Sequence, residues 1–167
     1  ASNSREVFDA VSRAAATLLG AKMARVWIDD PEARLLRAHG NFGSDPTDQR
    51  LMAEFSAIPY GSGVVSGVFE SRVAVYITDI QKEPRWLNQR LAREADLHAF
   101  AGIPLISGNR VVGALAILFG KRRQFTPQEK ELMNLLADHA AIAINNAWLF
   151  EKAERRRQTA ESLAEVG

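Results

Sequence analysis

Two apolar, strand-like segments, HAFAGIPLI (98–106) and RVVGALAILF (110–119), flank Ser107-Gly108-Asn109 and constrain this chain more than any other stretch. Gly-Asn is a turn pair that closes an antiparallel hairpin. In the register this turn predicts, Ile106 faces Val111, Pro104 faces Gly113, Gly102 faces Leu115, Phe100 faces Ile117 and His98 faces Phe119. Side chains alternate along a strand, so the hairpin has two unlike faces. One is rough and holds His98 as its sole polar side chain. The other carries Ala99, Ala101, Ile103 and Leu105 with Val112, Ala114, Ala116 and Leu118. That smooth face suits close packing of alanine-rich helices, for which AAA (14–16) and AAIAINNA (140–147) are the candidates.

The rest of the chain supplies such helices and more strands. Val7, Val11, Ala14 and Leu18, with Phe8, Ala15 and Leu19 beside them, form a helical stripe over 4–19 that Gly20 is placed to end. MARVWID (23–29) and RLLRAHG (34–40) read as strands around the turn at 29–33, and VAVYITDI (73–80) as a third. TDQRLMAEF and LNQRLAREADL (87–97) are short amphipathic helices, and a further turn or two of helix follows Gly63. Thr126-Pro127-Gln128-Glu129 is a capping box with proline at the first helical position, and it starts the last helix. From there Leu132, Leu135, His139, Ile142, Asn146, Leu149, Ala153, Arg156, Ala160 and Leu163 alternate spacings of three and four. This is a heptad seam, rich up to Leu149 and diluted afterwards. Composition changes inside this helix near residue 150, so 1–150 is read as the domain and 151–167 as a helical linker toward an output domain.

Composition excludes several functions. The 167 residues suit one domain with a sizeable core. Lys plus Arg (21) nearly cancels Asp plus Glu (20), and a net charge of +1 gives no broad field for nucleic acid or acidic lipid. The longest apolar run, VVGALAILF, falls far short of the roughly 20 residues of a spanning helix. With no signal-peptide pattern at ASNSREVF, a soluble cytoplasmic location is expected. The absence of cysteine rules out disulfides, thiolate metal sites, a cysteine nucleophile and any sulfur-attached cofactor.

Few residues invite a chemical role. GSGVVSG (61–67) lacks the Gly-Lys-Ser/Thr and the leading strand of a phosphate loop, and reads as a tight turn. Asp79 reads as a cap for the segment after its strand. No paired carboxylates, H-E-x-x-H or G-x-S-x-G is present. His98 remains as a polar contact to a bound molecule, a haem or metal ligand, or a hydrogen-bonded strand residue.

The residues resemble the GAF domain, a small-molecule-sensing module of signalling proteins. GSGVVSGVFESRVAVYITDIQKEPRW (61–86) is similar to the family's glycine-rich turn, short helix and following strand. Residues 94–151 resemble its most recognisable part, from the F-T-x-x-E helix start to the I-x-N-A-x-L-F-E exit. The resemblance spans roughly 4–150. It implies an α+β, PAS/GAF-like fold: a central antiparallel sheet of five or six strands, the N- and C-terminal helices on one face, and inserted helices roofing a pocket on the other. The family often has arginine where His98 stands. Its tetrapyrrole and methionine sulfoxide reductase branches need cysteines that this chain lacks, and its cyclic-nucleotide pattern is not visible.

The expected function is a non-catalytic sensory module. It binds an unknown small molecule and relays a signal through its last helix to an attached histidine kinase, cyclic-dinucleotide enzyme or second GAF domain. A structural dimerisation module without ligand, and a small enzyme, are the alternatives. The expected pocket comprises Phe55, Val64, Val68, Trp86, His98, Phe100, Gly102, Leu115 and Ile117, with no cofactor; a haem on His98 is the alternative. The expected partner is a second copy in parallel, joined through Val7, Val11, Leu132, Leu135, His139, Ile142, Asn146, Leu149 and Ala153. No metal, nucleic-acid or membrane site is expected.

Overall fold

The computed structural model describes residues 2–166. Its elements are α1 (Ser2–Leu19), β1 (Met23–Asp30), β2 (Leu35–Gly43), α2 (Pro46–Ala53), β3 (Ala57–Pro59), α3 (Gly63–Ser71), β4 (Val75–Ile77), α4 (Gln89–Glu94), β5 (Ala99–Ser107), β6 (Arg110–Phe119) and α5 (Pro127–Val166). A single 3-10 turn at Ile80–Lys82 follows β4. The six strands form one antiparallel sheet in the order β3-β2-β1-β6-β5-β4. The architecture is the α+β one expected, with six strands. The third expected strand is shorter than 73–80: Asp79 takes the backbone N–H of Gln81 (3.1 Å) and turns the chain.

The β5–β6 hairpin forms around Gly108-Asn109, with Ser107 opposite Arg110 and Ile106 opposite Val111. Beyond that pair the register differs from expectation. Leu105 pairs with Gly113, so Val112 is an extra residue and β6 bulges. Every later β6 side chain therefore exchanges faces relative to β5. Leu115 and Ile117 lie with Ala99, Ala101, Ile103 and Leu105 in the core under α1 and α5, while Ala114, Ala116 and Leu118 share the opposite core with Phe100. The expected pocket positions of Leu115 and Ile117 are thus corrected. A cause is local crowding: a Cβ on Gly113 would sit 1.9 Å from the Trp27 carbonyl oxygen on β1. Close approach of β1 demands glycine there, and the bulge sets it opposite Ile28.

One core thus lies on each side of the sheet. On the helix side, Ala15, Ala16, Ala140 and Ala141 are buried against the β5 alanines. Small side chains let helices approach closely, and at Gly40 even a Cβ would collide with the backbone of Phe8 at 2.6 Å. The C-terminal end of α1 is tied to the start of α5 by Arg123. It donates to the Leu19 carbonyl (3.2 Å), pairs with Glu129 and lies over the rings of Phe119 and Phe125. The capping box is complete, with Thr126 Oγ1 accepting from Glu129 N (3.1 Å) and Glu129 Oε1 accepting from Thr126 N (2.9 Å).

Helix α5 is 40 residues long, or roughly 60 Å at 1.5 Å per residue. Met133, Ala137, Ala140, Ala141 and Ile144 face the sheet. Leu132 is half-buried, whereas Leu135, His139, Ile142, Asn146, Leu149 and Ala153 are exposed. Val11, expected on the outer stripe, is only 2% exposed and belongs to the core. Val7 is half-buried against that core. The dimer stripe is corrected accordingly: α1 turns Val11 inward because its three-and-four spacing is used up by the sheet.

Gly113→Ala is expected to cost about 2 kcal/mol by overpacking against β1. Gly67→Ala, on the exposed face of α3 with open space at its Cβ, should stabilise by up to ~1 kcal/mol. Urea midpoints at unchanged slope measure both.

Candidate functional site

Below α3 and α4 the sheet leaves a cavity of about 290 Å³. Arg25 and Trp27 reach it from β1, Ala116 and Leu118 from β6, and Phe55, Ala57 and Ile58 from the chain around β3. Ser62 to Val65 come from the start of α3, and Trp86, Leu87, Asn88 and Leu91 from the segment entering α4. The β6 bulge creates this space. It turns Ala116 toward the cavity and sends the larger Leu115 and Ile117 to the other face. At the rim, Gly63 has φ +77°, and a Cβ on it would meet Leu87 at 2.9 Å, so the two covering segments close together only over glycine.

Three of the expected pocket residues line the cavity: Phe55, Val64 and Trp86. Val68 and Phe100 are fully buried behind it, and the Trp86 ring stands edge-on to Phe100 with centroids 5.0 Å apart. Gly102 provides room for them, since a Cβ there would touch the Phe100 ring (2.7 Å) and Val68 (3.0 Å). These three support the wall without forming it.

The walls are apolar except at three residues, Arg25, Ser62 and Asn88. Arg25 is only 5% exposed. Its Nε donates to Asn41 Oδ1 (2.6 Å), its Nη1 donates to the Phe55 carbonyl, and its guanidinium lies 4.9 Å from the Trp27 ring centre. Burial lowers its pKa to about 10, which leaves it cationic at neutral pH. Asn88 caps α4 through Oδ1, which accepts from Leu91 N (3.0 Å), and its own carbonyl accepts from Trp86 Nε1 (3.1 Å). Its Nδ2 is buried without a partner. Sequence reading missed Arg25 and Asn88. The signal for Arg25 was available in MARVWID, where alternation sets a cation on the same face as Met23 and Trp27. None existed for Asn88, whose role depends on how the loop folds.

His98 lies outside the cavity, in an ionic cluster just before β5. Its Nδ1 meets Asp79 Oδ1 (3.1 Å) and its Nε2 meets Asp96 Oδ1 (2.9 Å). Arg122 Nε lies 2.9 Å from Asp79 Oδ2. The expected place of His98 in the pocket is corrected; both ring nitrogens are engaged by carboxylates, which accept but cannot donate when ionised. The hydrogen bond to Asp96 and then that to Asp79 raise the His98 pKa against the effect of burial. Burial would raise the Asp79 carboxyl, but hydrogen bonds from His98 and the Gln81 N–H, with the charges of His98 and Arg122, bring it below its usual range. Among the described residues no group of three or more His, Asp or Glu is arranged to hold a metal ion, and no helix is long and apolar enough to cross a membrane.

A six-stranded antiparallel sheet with terminal helices on one face and a roofed cavity on the other defines a GAF-type fold. The family description "GAF domain" matches residues 1–145, and the chain belongs to that family. It is 28% identical over 141 residues to the peroxide stress-activated histidine kinase mak2 of Schizosaccharomyces pombe, covering 81% of this chain and 6% of the kinase's length. The GAF domain of a phosphoenolpyruvate-protein phosphotransferase from Coxiella burnetii superposes with a TM-score of 0.80 at 22% identity, over 91% of this chain and 88% of that one. A type II free methionine-R-sulfoxide reductase from Thermoplasma acidophilum shares the fold (TM-score 0.72, 14% identity, 87% and 94% covered). The fold thus occurs both as a domain of a phosphotransferase and in a methionine-R-sulfoxide reductase.

Because the His98 pKa is raised on folding, its ionic contacts contribute fully below the ordinary histidine value and fade as pH rises through the folded-state value. His98→Asn should therefore lose more stability at about pH 5.5 than at about pH 8.5, compared by urea midpoints at the two pH values.

Proposed function

We propose that this GAF domain is a non-catalytic sensory module. It binds a small molecule in the cavity beneath α3 and α4 and passes the change along α5 to an attached output domain, such as a histidine kinase, a cyclic-dinucleotide enzyme or another GAF domain. The observation that carries the reading is the division of α5 into two faces. One is packed on the sheet, while the other leaves Leu135 (62%), Ile142 (60%) and Leu149 (58%) exposed in a seam, with Leu163 (68%) further along. Such a seam needs a second helix to cover it. β6 contributes to both faces of the same sheet, so a ligand pressing on Ala116 and Leu118 acts on the strand whose Leu115 and Ile117 belong to the core under α5. The resemblance to a stress-activated histidine kinase supports an output of that class.

The partner is a second copy in parallel, its α5 seam against this one. Residues 151–164 are exposed apart from the half-buried Glu154, so the far part of α5 has the second helix as its main source of burial. Asn146 at a seam position favours one register at a cost in stability, and a loose pairing suits a relay that a modest binding energy must shift.

Sedimentation equilibrium of the full chain should give a dimer. Leu149→Glu removes apolar burial worth about 1.5–3 kcal/mol per side chain and should weaken it at least about tenfold. A version ending at residue 150 should dimerise more weakly than the full chain. Monomer throughout at high concentration, or antiparallel pairing seen by cross-linking, would contradict the relay.

A further inference from the structure

Three charged residues are buried among the described residues: Arg25, Asp48 and Asp79. Asp48 has Lys22 at 3.8 Å and a hydrogen bond from Ser44 Oγ (2.9 Å), and Asp79 has Arg122 and His98. Arg25 alone has no counter-charge: no Asp or Glu oxygen of the described residues lies within 4.0 Å of it. Its Nε and Nη1 are bonded to neutral oxygens, whereas Nη2 has no hydrogen-bond partner among the described residues. A buried cation held only by dipoles is costly, and an ionic partner with two oxygens would relieve that cost through charge-assisted hydrogen bonds.

A second, independent group lines the same cavity. Asn88 Nδ2 is a buried donor with no partner. Its orientation is fixed, because Oδ1 must accept from Leu91 N to cap α4. A donor buried in a mostly apolar wall lacks an acceptor. Arg25 and Asn88 both line a space walled by Trp27, Val64, Val65, Trp86, Leu91 and Leu118.

We propose that the cavity is a receptor for a small carboxylate with an apolar body, its carboxylate held by Arg25 and Asn88 and its body enclosed by Trp27, Trp86 and Leu118. This deepens the sensory reading and rests on it. One guanidinium balances one negative charge; a phosphomonoester dianion would leave a net charge in a mostly apolar space. The volume of about 290 Å³ sits at the low end of ligand cavities, which restricts the body to about one ring or a branched alkyl group. Trp27 already stacks on the guanidinium from one side. It is therefore placed to hold the cation's plane while a carboxylate docks at its edge.

The test uses the full chain and three matched probes: 3-phenylpropionate, its neutral amide 3-phenylpropionamide, and 2-phenylethyl phosphate. Affinity is read by tryptophan fluorescence and calorimetry, with the Arg25 Nε–H followed by NMR in the unaltered protein. Arg25 also borders a groove with Arg13 and Gln49, but Trp86 lines only the cavity side. A Trp86→Phe control therefore assigns the fluorescence response. The carboxylate should bind at least about tenfold more tightly than the amide, about 1.4 kcal/mol, and shift the Arg25 Nε–H. Arg25→Gln should abolish that preference. Asn88→Asp keeps the α4 cap while repelling the carboxylate, and should cost it about tenfold with the amide unaffected. Equal binding of carboxylate and amide overturns the carboxylate assignment and leaves a sensory cavity standing. Tightest binding by the phosphate overturns it in favour of a dianion. No binding by these probes overturns it too; if a set of neutral fragments of like size also fails, the sensory reading falls with it. Should Arg25→Gln fail to fold, the Asn88→Asp result and the Nε–H shift still decide.

Discussion

The contact on which the rest of the structure depends is the approach of β6 to β1 at Gly113. No side chain fits there, because the Trp27 carbonyl occupies the place of a Cβ. The strand accommodates the approach with one extra residue, Val112, and from that point its faces exchange. Everything toward Phe119 follows from the exchange. Leu115, Ile117 and Phe119 thicken the core beneath the terminal helices, and Ala114 and Ala116 thin the opposite side. A cavity persists on that side because the sheet there presents methyl groups where branched side chains would have filled it.

The two sides of the sheet then solve different problems. Beneath α1 and α5, alanines on strand and helices bring backbones together, and Gly40 admits the backbone of Phe8. That side is closed by dispersion contacts and needs little polar chemistry. On the cavity side the covering segments are short, and they are held by caps and turns: Asp45 for α2, Asp79 for the 3-10 turn, Asn88 for α4. They are also anchored by packing, since Val64, Val65 and Val68 of α3, Trp86, and Leu91 and Ala92 of α4 are buried in the core on that side. The ionic cluster of Asp79, His98, Asp96 and Arg122 pins one corner of that roof to the start of β5.

The elements were largely legible in the sequence for local reasons. The Thr126 to Glu129 capping box, the Gly108-Asn109 turn and the Gly20 stop are satisfied by neighbours a few residues away, and each formed where the pattern indicated. The candidate site was legible only in part. Phe55, Val64 and Trp86 line the cavity because they lie on segments that could only be roof. Leu115 and Ile117 went to the other face because alternation alone cannot register an inserted residue. Val11 went inward for a similar reason, since a helical stripe shows that a face is buried but not against what. His98 was singled out as the one polar residue on a face, yet its partner Asp79 is distant in sequence.

By itself, then, the sequence determined the family, the inventory of strands and helices, the exclusion of cysteine chemistry and the seam that runs along α5. These depend on local propensity, composition and period, all of which are written in consecutive residues. Tertiary structure decided which side of the sheet each β6 residue serves, that a cavity exists, and that Arg25, without a counter-charge, and Asn88, with an unpaired Nδ2, both line it. Those outcomes depend on contacts between segments far apart in the chain, above all on a carbonyl of β1 standing where a β6 side chain would have been.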